Sequence, residues 1–202
     1  MITNNRIGML LLVSGPSGSG KTTLCRRSAD EGYASYAISC TTRPPRPGEV
    51  NGEDYYFLSL EQFRQKIDND EFIEHAEVHS NFYGTLKSEV INVVEKGIDV
   101  VMDIDVQGAS LIRECDERLI QQALVELFVM PPSEAELRNR LSGRGTDSDE
   151  VIERRMINSL EEMRHWNKYT HCIISEDKET DYTNFKSLIL AERLNVSRFK
   201  DQ

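Results

Sequence analysis

Residues 15–22, with the sequence GPSGSGKT, match the phosphate-binding pattern G-x-x-x-x-G-K-[ST] at every position. The apolar run Met9 to Val13 comes just before this motif and is typical of a strand buried on both faces of a parallel sheet. A helical pattern follows the motif. Its glycines allow successive backbone N–H groups to surround a phosphate, and the helix adds the positive end of its dipole. This combination restricts the chain to an α/β fold built around a phosphate-binding loop.

Two side chains of the motif and one acid elsewhere are suited to a nucleotide with its metal ion. Lys21 supplies a positive charge for the β- and γ-phosphates, and the Thr22 hydroxyl is a ligand for Mg²⁺. A second buried-strand pattern, Val100 to Met102, leads into Asp103, where a Walker B carboxylate is expected beside the phosphate loop. The alternative is that Asp103 only caps the segment after the strand. We predict that Thr22 and Asp103 hold Mg²⁺, partly through water, together with ATP.

Further buried-strand patterns predict the rest of the sheet. They occur at residues 124–129 and 172–174, and segments of helix length separate the strands from one another. Strands that alternate with helices predict a parallel sheet flanked by helices. Helix starts are indicated by an S-x-x-Q capping box at 59–62 and an S-x-x-E capping box at 133–136, and a third helix is predicted over 150–165.

The size and charge of the chain exclude several classes of protein. With 202 residues it forms one large domain or one domain with insertions. A net charge of −10 argues against nucleic acid or an anionic membrane surface as a partner, because both require a basic footprint. The longest early apolar run is far shorter than the roughly 18 residues of a membrane-spanning helix, and no signal-peptide cleavage site follows it, so we expect a cytoplasmic protein. The cysteines and histidines have no spacing typical of a metal site, and the oligomeric state is left open.

The alternation of strands and helices is interrupted twice by irregular polar segments. Residues 39–95 contain a stretch rich in proline and arginine and a strand pattern at 55–58, which together predict an insertion with a small sheet of its own. Residues 143–149 form the second interruption. Arginines concentrated in and beside these segments of an acidic chain predict a clamp for phosphate groups. They are Arg43, Arg46, Arg140, Arg144 and Arg155.

Residues 105–108 match the D-x-x-G switch motif of GTPases, so this class of protein has to be considered. The guanine-reading N-K-x-D motif of GTPases is missing, because residues 167–170 begin with Asn-Lys but end in threonine. The sequence also assigns no residue that would position a water molecule for hydrolysis. The motifs therefore favour a kinase over a GTPase.

Short motifs along nearly the whole chain resemble those of the guanylate kinase family and occur in the same order as in that family. They are GPSGSGKTTL at 15–24, SCTTRP at 39–44, RPGE at 46–49, NGEDY at 51–55, FIE at 72–74, YGT at 83–85, DIDVQG at 103–108 and RLSGRGT at 140–146. Any one of these motifs only suggests the family, whereas the whole set in this order is highly specific for it.

The resemblance implies an enzyme that transfers the γ-phosphoryl group of ATP to GMP, with Mg²⁺ bound together with ATP. It also implies an α/β fold in which a P-loop kinase core, with a parallel sheet flanked by helices, carries a small mixed α/β insertion that binds GMP and a short lid. The core would comprise residues 1–38, 96–139 and 156–202, the GMP-binding region residues 39–95, and the lid residues 140–155.

The resemblance also implies roles for individual residues. ATP would be bound by Gly15, Pro16, Ser17, Gly18, Ser19, Gly20, Lys21, Thr22 and Thr23. The phosphate of GMP would be contacted by Arg43, Arg46, Tyr55 and Tyr83, and its guanine by Ser39, Glu74, Thr85 and Asp105. Catalysis would depend on Lys21, Arg43, Arg140, Arg144 and Arg155. It would need no general base, because the acceptor atom is already a phosphate oxygen.

Glu74 is suited to guanine on chemical grounds as well. Guanine presents N–H donors at N1 and N2, which one carboxylate accepts together, whereas adenine presents a bare N1 acceptor that would face the negative charge. A site whose buried polar groups are left unpaired by the wrong base discriminates by roughly 10⁴ or more. The alternative for Glu74 and for Asp105 is an ordinary surface acid.

Two features leave alternatives open. Where the family usually has Asn-Asp after the last strand, close to adenine, this chain has SED at 175–177, so the strictness for ATP over other triphosphates is open. The alternative function is a catalytically silent guanylate-kinase-like module that binds protein partners, although such modules usually have a damaged phosphate loop and this loop is intact. Another small-molecule kinase on the same core would have no reason to combine Ser39, Glu74 and Asp105.

Overall fold

The computed structural model describes residues 6–78, 80–142 and 149–199. The strands in these ranges are β1 (Leu10–Ser14), β2 (Ser35–Tyr36), β3 (Cys40–Thr41), β4 (Tyr56–Phe57), β5 (Phe72–Val78), β6 (Asn81–Leu86), β7 (Val100–Asp103), β8 (Leu124–Met130) and β9 (His171–Ile174). The α-helices are α1 (Lys21–Asp30), α2 (Leu60–Asp68), α3 (Lys87–Glu95), α4 (Val106–Arg113), α5 (Arg118–Ala123), α6 (Glu134–Ser142), α7 (Asp149–Met163) and α8 (Lys178–Glu192). Short 3-10 helices follow at Trp166–Lys168 and Val196–Arg198. No helix within the described ranges has the length and apolar character required to span a membrane.

The central sheet consists of five parallel strands in the order β2-β7-β1-β8-β9. Every residue of β1, its middle strand, is buried. Successive side chains of β1 enter two hydrophobic clusters in turn, one containing Leu10 and Leu12 and the other Leu11 and Val13. Such a strand needs helices on both faces of the sheet, which explains its continuous apolar sequence. The prediction of a parallel sheet flanked by helices is confirmed.

Residues 40–86 contain a second, smaller sheet with the strand order β4-β3-β6-β5. Strand β3 is parallel to β4 and antiparallel to β6, and β5 and β6 form an antiparallel pair. Helix α2 packs on this sheet through Phe63, whose ring is stacked on that of Phe72 at a centroid distance of 4.4 Å. The predicted small sheet is confirmed, but the strand pattern at 55–58 yields only the short β4, because the cap of α2 follows at Ser59.

The two predicted helix starts are found at Ser59 and Ser133, and the capping box is complete at Ser59 only. The Ser59 hydroxyl accepts a hydrogen bond from the backbone N–H of Gln62, and the Gln62 side chain accepts one from the backbone N–H of Ser59. The Ser133 hydroxyl accepts a hydrogen bond of 3.1 Å from the backbone N–H of Glu136 at the start of α6. The third predicted helix is α7, which begins one residue earlier and ends two residues earlier than predicted.

A buried carboxylate at the start of β7 connects the first described residue, Arg6, with Arg193 at the end of α8. The Asp99 side chain is 1% exposed and accepts hydrogen bonds from the Arg6 guanidinium at 2.6 and 2.9 Å. It also accepts hydrogen bonds from Arg193 Nε at 2.7 Å and from the backbone N–H of Met9 at 3.0 Å. Burial by itself would raise the pKa of Asp99, but these hydrogen bonds outweigh it and lower the pKa. The ionised carboxylate therefore stabilises the fold.

We expect Asp99→Asn to lower the free energy of unfolding by about 3 kcal/mol at neutral pH, because the neutral side chain leaves two arginines without their charged partner. The pKa of Asp99 is lower in the folded than in the unfolded chain. The stabilisation is therefore present above the unfolded pKa of about 3.9 and is lost as the pH falls below it. Urea unfolding at a series of pH values measures both the loss at neutral pH and its decrease in acid.

Asp70→Asn is the matched control for this experiment. Asp70 forms a 2.6 Å ion pair with Lys87, but its side chain is 87% exposed. Exposed ion pairs contribute little, so this change should cost less than about 1 kcal/mol. An equal loss in the two variants would contradict the anchoring role of Asp99.

Candidate active site

The phosphate loop connects β1 to α1 through three glycines with positive φ angles. These angles are +146° at Gly15, +87° at Gly18 and +95° at Gly20, where a side chain would strain the backbone. Gly15 also has no space for a side chain, since a Cβ atom would lie 2.3 Å from the carbonyl oxygen of Val129 on β8. The glycine spacing of the motif therefore determines both the shape of the loop and its close approach to the sheet.

Lys21 begins α1 and turns its ammonium group back into the loop. Its Nζ donates to the carbonyl oxygens of Gly15 at 2.5 Å and of Pro16 at 3.0 Å. Burial lowers the pKa of Lys21, and the nearby carboxylates of Glu162 and Asp103 offset this effect only in part. A phosphate group in the loop would therefore stabilise the charged form of Lys21.

The structure brings the predicted magnesium ligands into contact. Thr22 Oγ1 donates a hydrogen bond of 2.5 Å to Asp103 Oδ2 at the end of β7. The other carboxylate oxygen of Asp103 accepts a hydrogen bond from the Tyr36 hydroxyl. Burial raises the pKa of Tyr36, and the charge of Asp103 raises it further, so this hydroxyl remains a donor. Sequence analysis missed Tyr36, and no local motif marks it, because it is 67 residues from Asp103 in the chain.

Thr22 and Asp103 are suited to Mg²⁺, which prefers oxygen ligands and at nucleotide sites is held by one or two protein groups together with phosphates. In the described part of the chain, no group of three or more His, Cys, Asp or Glu side chains could hold a metal ion by itself. An ion bound to Thr22 and Asp103 would thus complete its coordination with phosphate oxygens and water.

A cavity of about 230 Å³ lies between the small sheet and the end of β7. Of the residues predicted to bind guanine or the GMP phosphate, five line it together with Asp103: Ser39, Tyr55, Glu74, Tyr83 and Asp105. Thr85 is opposite Glu74 in the register of β5 and β6, and its hydroxyl is 3.0 Å from that of Ser39. Three of the four predicted guanine contacts therefore line one cavity, and the fourth, Thr85, is buried beside Ser39 and Glu74.

Glu74 is a buried carboxyl group with an altered pKa. The residue is 9% exposed, so it is not an ordinary surface acid. Burial raises the pKa of Glu74 to about 7, while the hydrogen bonds with Thr85 lower it and the charge of Asp105 raises it, each by a smaller amount. N–H donors of a bound ligand would favour the ionised form of Glu74.

Asp105 has a structural role that explains the D-x-x-G spacing without a GTPase switch. Its Oδ1 accepts a hydrogen bond of 2.7 Å from the backbone N–H of Gly108 and caps α4. Gly108 has no space for a side chain, since a Cβ atom would lie 2.6 Å from Cδ1 of Ile104. Oδ2 of Asp105 forms no hydrogen bond within the described part of the chain, and the residue lines the cavity beside Glu74. One carboxylate oxygen is therefore available to a ligand.

Arg43 and Arg46 are held in different ways. Arg43 Nη2 donates to both carboxylate oxygens of Glu49, at 2.8 and 3.0 Å, and its guanidinium is 5.7 Å from the centre of the Tyr55 ring. Glu49 also accepts a hydrogen bond of 2.6 Å from the backbone N–H of Arg46, whose side chain is exposed. The hydrogen bond from Arg43 lowers the pKa of Glu49. Glu49 orients the predicted phosphate clamp, a role that sequence analysis did not assign to it.

The second group of predicted arginines lies next to the phosphate loop. Arg155 Nη2, on α7, donates a hydrogen bond of 2.7 Å to Ser17 Oγ in the loop. Arg140 Nη1, on α6, donates one of 2.9 Å to Ser175 Oγ after β9. Arg144 lies outside the described residues. The structure thus brings Arg140 and Arg155 to the loop side of the site, away from the cavity that contains Glu74.

A second cavity, of about 460 Å³, lies beside the phosphate loop. It is lined by Gly18, Ser19, Gly20, Thr23, Leu24, Arg140, residues 175–178 and Asp181. The Ser175 hydroxyl accepts from Arg140 and donates to Asp181 Oδ2 at 2.7 Å. Asp177 caps α8 through the backbone N–H groups of the first helical turn. Ser175, Asp177 and Asp181 therefore bind to the protein itself, whereas the buried Ser19 hydroxyl has no hydrogen-bond partner within the described part of the chain.

Comparison with known proteins places this architecture in one family. The family model described as guanylate kinase matches residues 8–192. A guanylate kinase from Ruegeria sp. strain TM1040 is 44% identical over 190 residues, which cover 94% of this chain and 86% of that protein. A guanylate kinase from Escherichia coli strain K12 is 42% identical over 198 residues, which cover 96% and 93%. The crystal structure of guanylate kinase from Anaplasma phagocytophilum matches with a TM-score of 0.78 and 32% identity, covering 96% of this chain and 91% of that one.

These matches include the small sheet and its cavity as well as the phosphate loop, so the likeness is not confined to a nucleotide-binding core that many kinases share. The sequence identity and the structural match extend over nearly the same residues. On this basis the chain belongs to the guanylate kinase family.

Proposed function

We propose that the protein is an ATP-dependent kinase that transfers the γ-phosphoryl group of ATP to GMP, giving ADP and GDP. The observation that carries this proposal is the position of Asp103 between the two halves of the site. Asp103 contacts Thr22 of the phosphate loop and also lines the cavity that contains Glu74 and Asp105. A triphosphate on the loop and a guanine nucleotide in the cavity would therefore meet at the end of β7.

On the donor side, the backbone N–H groups of residues 15–22 and the dipole of α1 favour the phosphates of ATP. Lys21 would neutralise the β- and γ-phosphates. Thr22 and Asp103 would hold Mg²⁺, which when bound neutralises charge that develops on the phosphate oxygens. Thr23 lines the larger cavity beside the loop, which leaves room for the rest of ATP.

On the acceptor side, guanine would occupy the cavity of the small sheet. The carboxylate of Glu74 would accept the N–H groups at N1 and N2, and Asp105 Oδ2 would accept a further one. The hydroxyl groups of Ser39 and Thr85 would complete the base site. The GMP phosphate would be bound by Arg43, Arg46, Tyr55 and Tyr83. Arg43 already binds one planar anion, the Glu49 carboxylate, and its guanidinium is suited to bidentate binding of phosphate.

Transfer between the two nucleotides would depend on position and charge, because a phosphate oxygen needs no general base. Arg140, Arg144 and Arg155 would neutralise the transferred group, and Arg155 already contacts the phosphate loop at Ser17. In this proposal the lid is formed by residues 140–155, the GMP-binding region by 39–95 and the core by the rest of the chain. Closure of the lid would exclude water, which would otherwise accept the phosphoryl group. The cytoplasmic location stays a prediction.

A coupled assay of ADP release tests the proposed function. Mg-ATP is supplied with GMP, dGMP, AMP, UMP, CMP, TMP or no acceptor, and Lys21→Ala serves as the blank. We expect turnover with guanine nucleotides only. Folded protein that binds GMP without turnover would instead support the protein-binding module, and turnover with another acceptor alone would indicate a different small-molecule kinase. The intact loop and the family relationship favour the enzyme.

We expect Lys21→Ala to lower kcat by on the order of 10² or more, because it removes the charge that would neutralise the donor phosphates. Steady-state kinetics with saturating Mg-ATP and GMP measure this loss. Lys96→Ala removes an exposed lysine at the end of α3 and should leave kcat unchanged. Near-normal turnover of Lys21→Ala would refute the role of Lys21.

We expect the KM for GMP to rise as the pH falls below about 7, because Glu74 then gains a proton and one of its acceptor oxygens becomes a donor. Glu74→Gln should remove this pH dependence and reduce the preference for GMP over AMP. The measurement is the KM for GMP between about pH 6 and about pH 8 in the same coupled assay.

Glu77→Gln is the matched control, since Glu77 is on the same strand but is exposed. It should retain both the pH profile and the base preference of the parent. If Glu74→Gln behaves like this control, Glu74 does not belong to the base site.

A further inference from the structure

Tyr36 and Asp103 lie on the same face of the central sheet. Tyr36 ends β2 and is opposite Val101 of β7. Asp103 follows Val101 by two residues, and side chains alternate along a strand, so Asp103 points to the same side as Val101. Tyr36, Val101 and residues of α1 share one hydrophobic cluster. The hydroxyl of Tyr36 is thus directed along the sheet toward the carboxylate that ends β7.

Helix α1 contacts this pair of side chains at two positions one turn apart. Thr22 donates to Asp103 Oδ2, whereas the Arg26 guanidinium lies 4.8 Å from the centre of the Tyr36 ring. The Tyr36 hydroxyl donates to Asp103 Oδ1. Each carboxylate oxygen of Asp103 therefore accepts a hydrogen bond, one from Thr22 and one from Tyr36. The Arg26 side chain of α1 lies over the ring of Tyr36.

Arg26 in turn is fixed by the insertion. Its Nη2 donates to Asp54 Oδ1 at 3.0 Å and to the carbonyl oxygen of Glu53 at 3.3 Å. Because these contacts restrict the guanidinium, they also restrict the Tyr36 ring beneath it. The turn that contains Asp54 leads directly to Tyr55, a lining residue of the GMP cavity.

We propose that Tyr36 is a positioning residue for magnesium, acting through Asp103. Its hydroxyl holds the carboxylate so that the oxygen beside Thr22 faces the metal position. A phenylalanine would fill the same space in the hydrophobic cluster, so packing alone does not account for a hydroxyl directed at a carboxylate. Groups that orient metal ligands commonly change metal affinity or activity by about 10-fold to 100-fold when they are removed. This inference rests on the proposed binding of Mg²⁺ by Thr22 and Asp103.

Equilibrium binding of ATP, measured calorimetrically without GMP, tests this proposal independently of catalysis. The Kd for ATP is measured with Mg²⁺ and with EDTA, and the ratio of the two values reports the contribution of the metal. Tyr36→Phe should reduce this ratio about tenfold, with little change in the Kd measured in EDTA. The Mg²⁺ concentration that gives half-maximal turnover should rise, and the Kd for GMP should be unchanged.

Tyr33→Phe is the matched control. Tyr33 packs against the same hydrophobic cluster, and its hydroxyl forms no hydrogen bond within the described part of the chain. Loss of this hydroxyl should leave the metal contribution as it is in the parent. An unchanged ratio in Tyr36→Phe, or an equal loss in both variants, would overturn the proposal.

Asp103→Asn separates the role of Tyr36 from the placement of the metal. If Asp103→Asn keeps the metal contribution, the proposed magnesium site is wrong. If Asp103→Asn loses it and Tyr36→Phe keeps it, only the role of Tyr36 is wrong. Adding Tyr36→Phe to Asp103→Asn should cause no further loss, because both changes act on one carboxylate.

A second variant covers the case in which Tyr36→Phe does not fold. Arg26→Met keeps an aliphatic chain above the Tyr36 ring but removes the hydrogen bonds to the insertion. The loosened ring should reduce the metal contribution severalfold in a folded protein. A parent-like ratio in Arg26→Met would then count against the proposal.

Discussion

The parallel register of β1 and β7 positions the whole site. Val13 is opposite Asp103, so the phosphate loop begins at the level at which β7 ends in a carboxylate. Asp103 can therefore contact the first turn of α1 on one side and line the acceptor cavity on the other. Since side chains alternate along a strand, a shift of one residue would turn this carboxylate to the opposite face of the sheet. The carboxylates beside and at the end of β7 oppose such a shift, because Asp99 is bound to Arg6 and Met9 and Asp103 is bound to Thr22.

Burial shifts the pKa values of one group on the donor side and one on the acceptor side in opposite directions, because in each case it disfavours the charged form. It lowers the pKa of Lys21 and raises that of Glu74. In the proposed site, a phosphate beside Lys21 and guanine N–H groups beside Glu74 would both favour the charged forms. Ligand binding and ionisation would therefore be coupled at both ends of the proposed transfer. Arg43 differs because a guanidinium stays protonated whatever its surroundings, and the Glu49 carboxylate already pairs with it.

The parts of the fold that could be predicted depend on residues close together in the chain. The phosphate loop, the capping boxes and the apolar strands are local patterns. Two of the missed contacts join distant residues: Tyr36 binds Asp103 across 67 positions, and Asp99 binds Arg6 across 93. Neither a periodic pattern nor a short motif indicates such pairs, because the residues become neighbours only through the arrangement of the strands in the folded chain. Asp105 shows a second reason why sequence prediction is incomplete. One oxygen of its carboxylate caps α4, while the residue is also predicted to contact the base, and the D-x-x-G motif alone does not distinguish these two roles.

The two cavities of the site differ in how their polar groups are used. In the smaller one, the buried Glu74 carboxyl group, which is hydrogen-bonded to Thr85, lines the cavity, and one oxygen of Asp105 is available to a ligand. In the larger one, the Ser175 hydroxyl is bound to Arg140 and Asp181, and other polar groups cap α8. Groups that are already paired gain little from a matching ligand and lose little with a mismatched one. In the proposed site, selection between bases would depend on the acceptor cavity, where a mismatched base would leave the buried Glu74 carboxylate facing an acceptor.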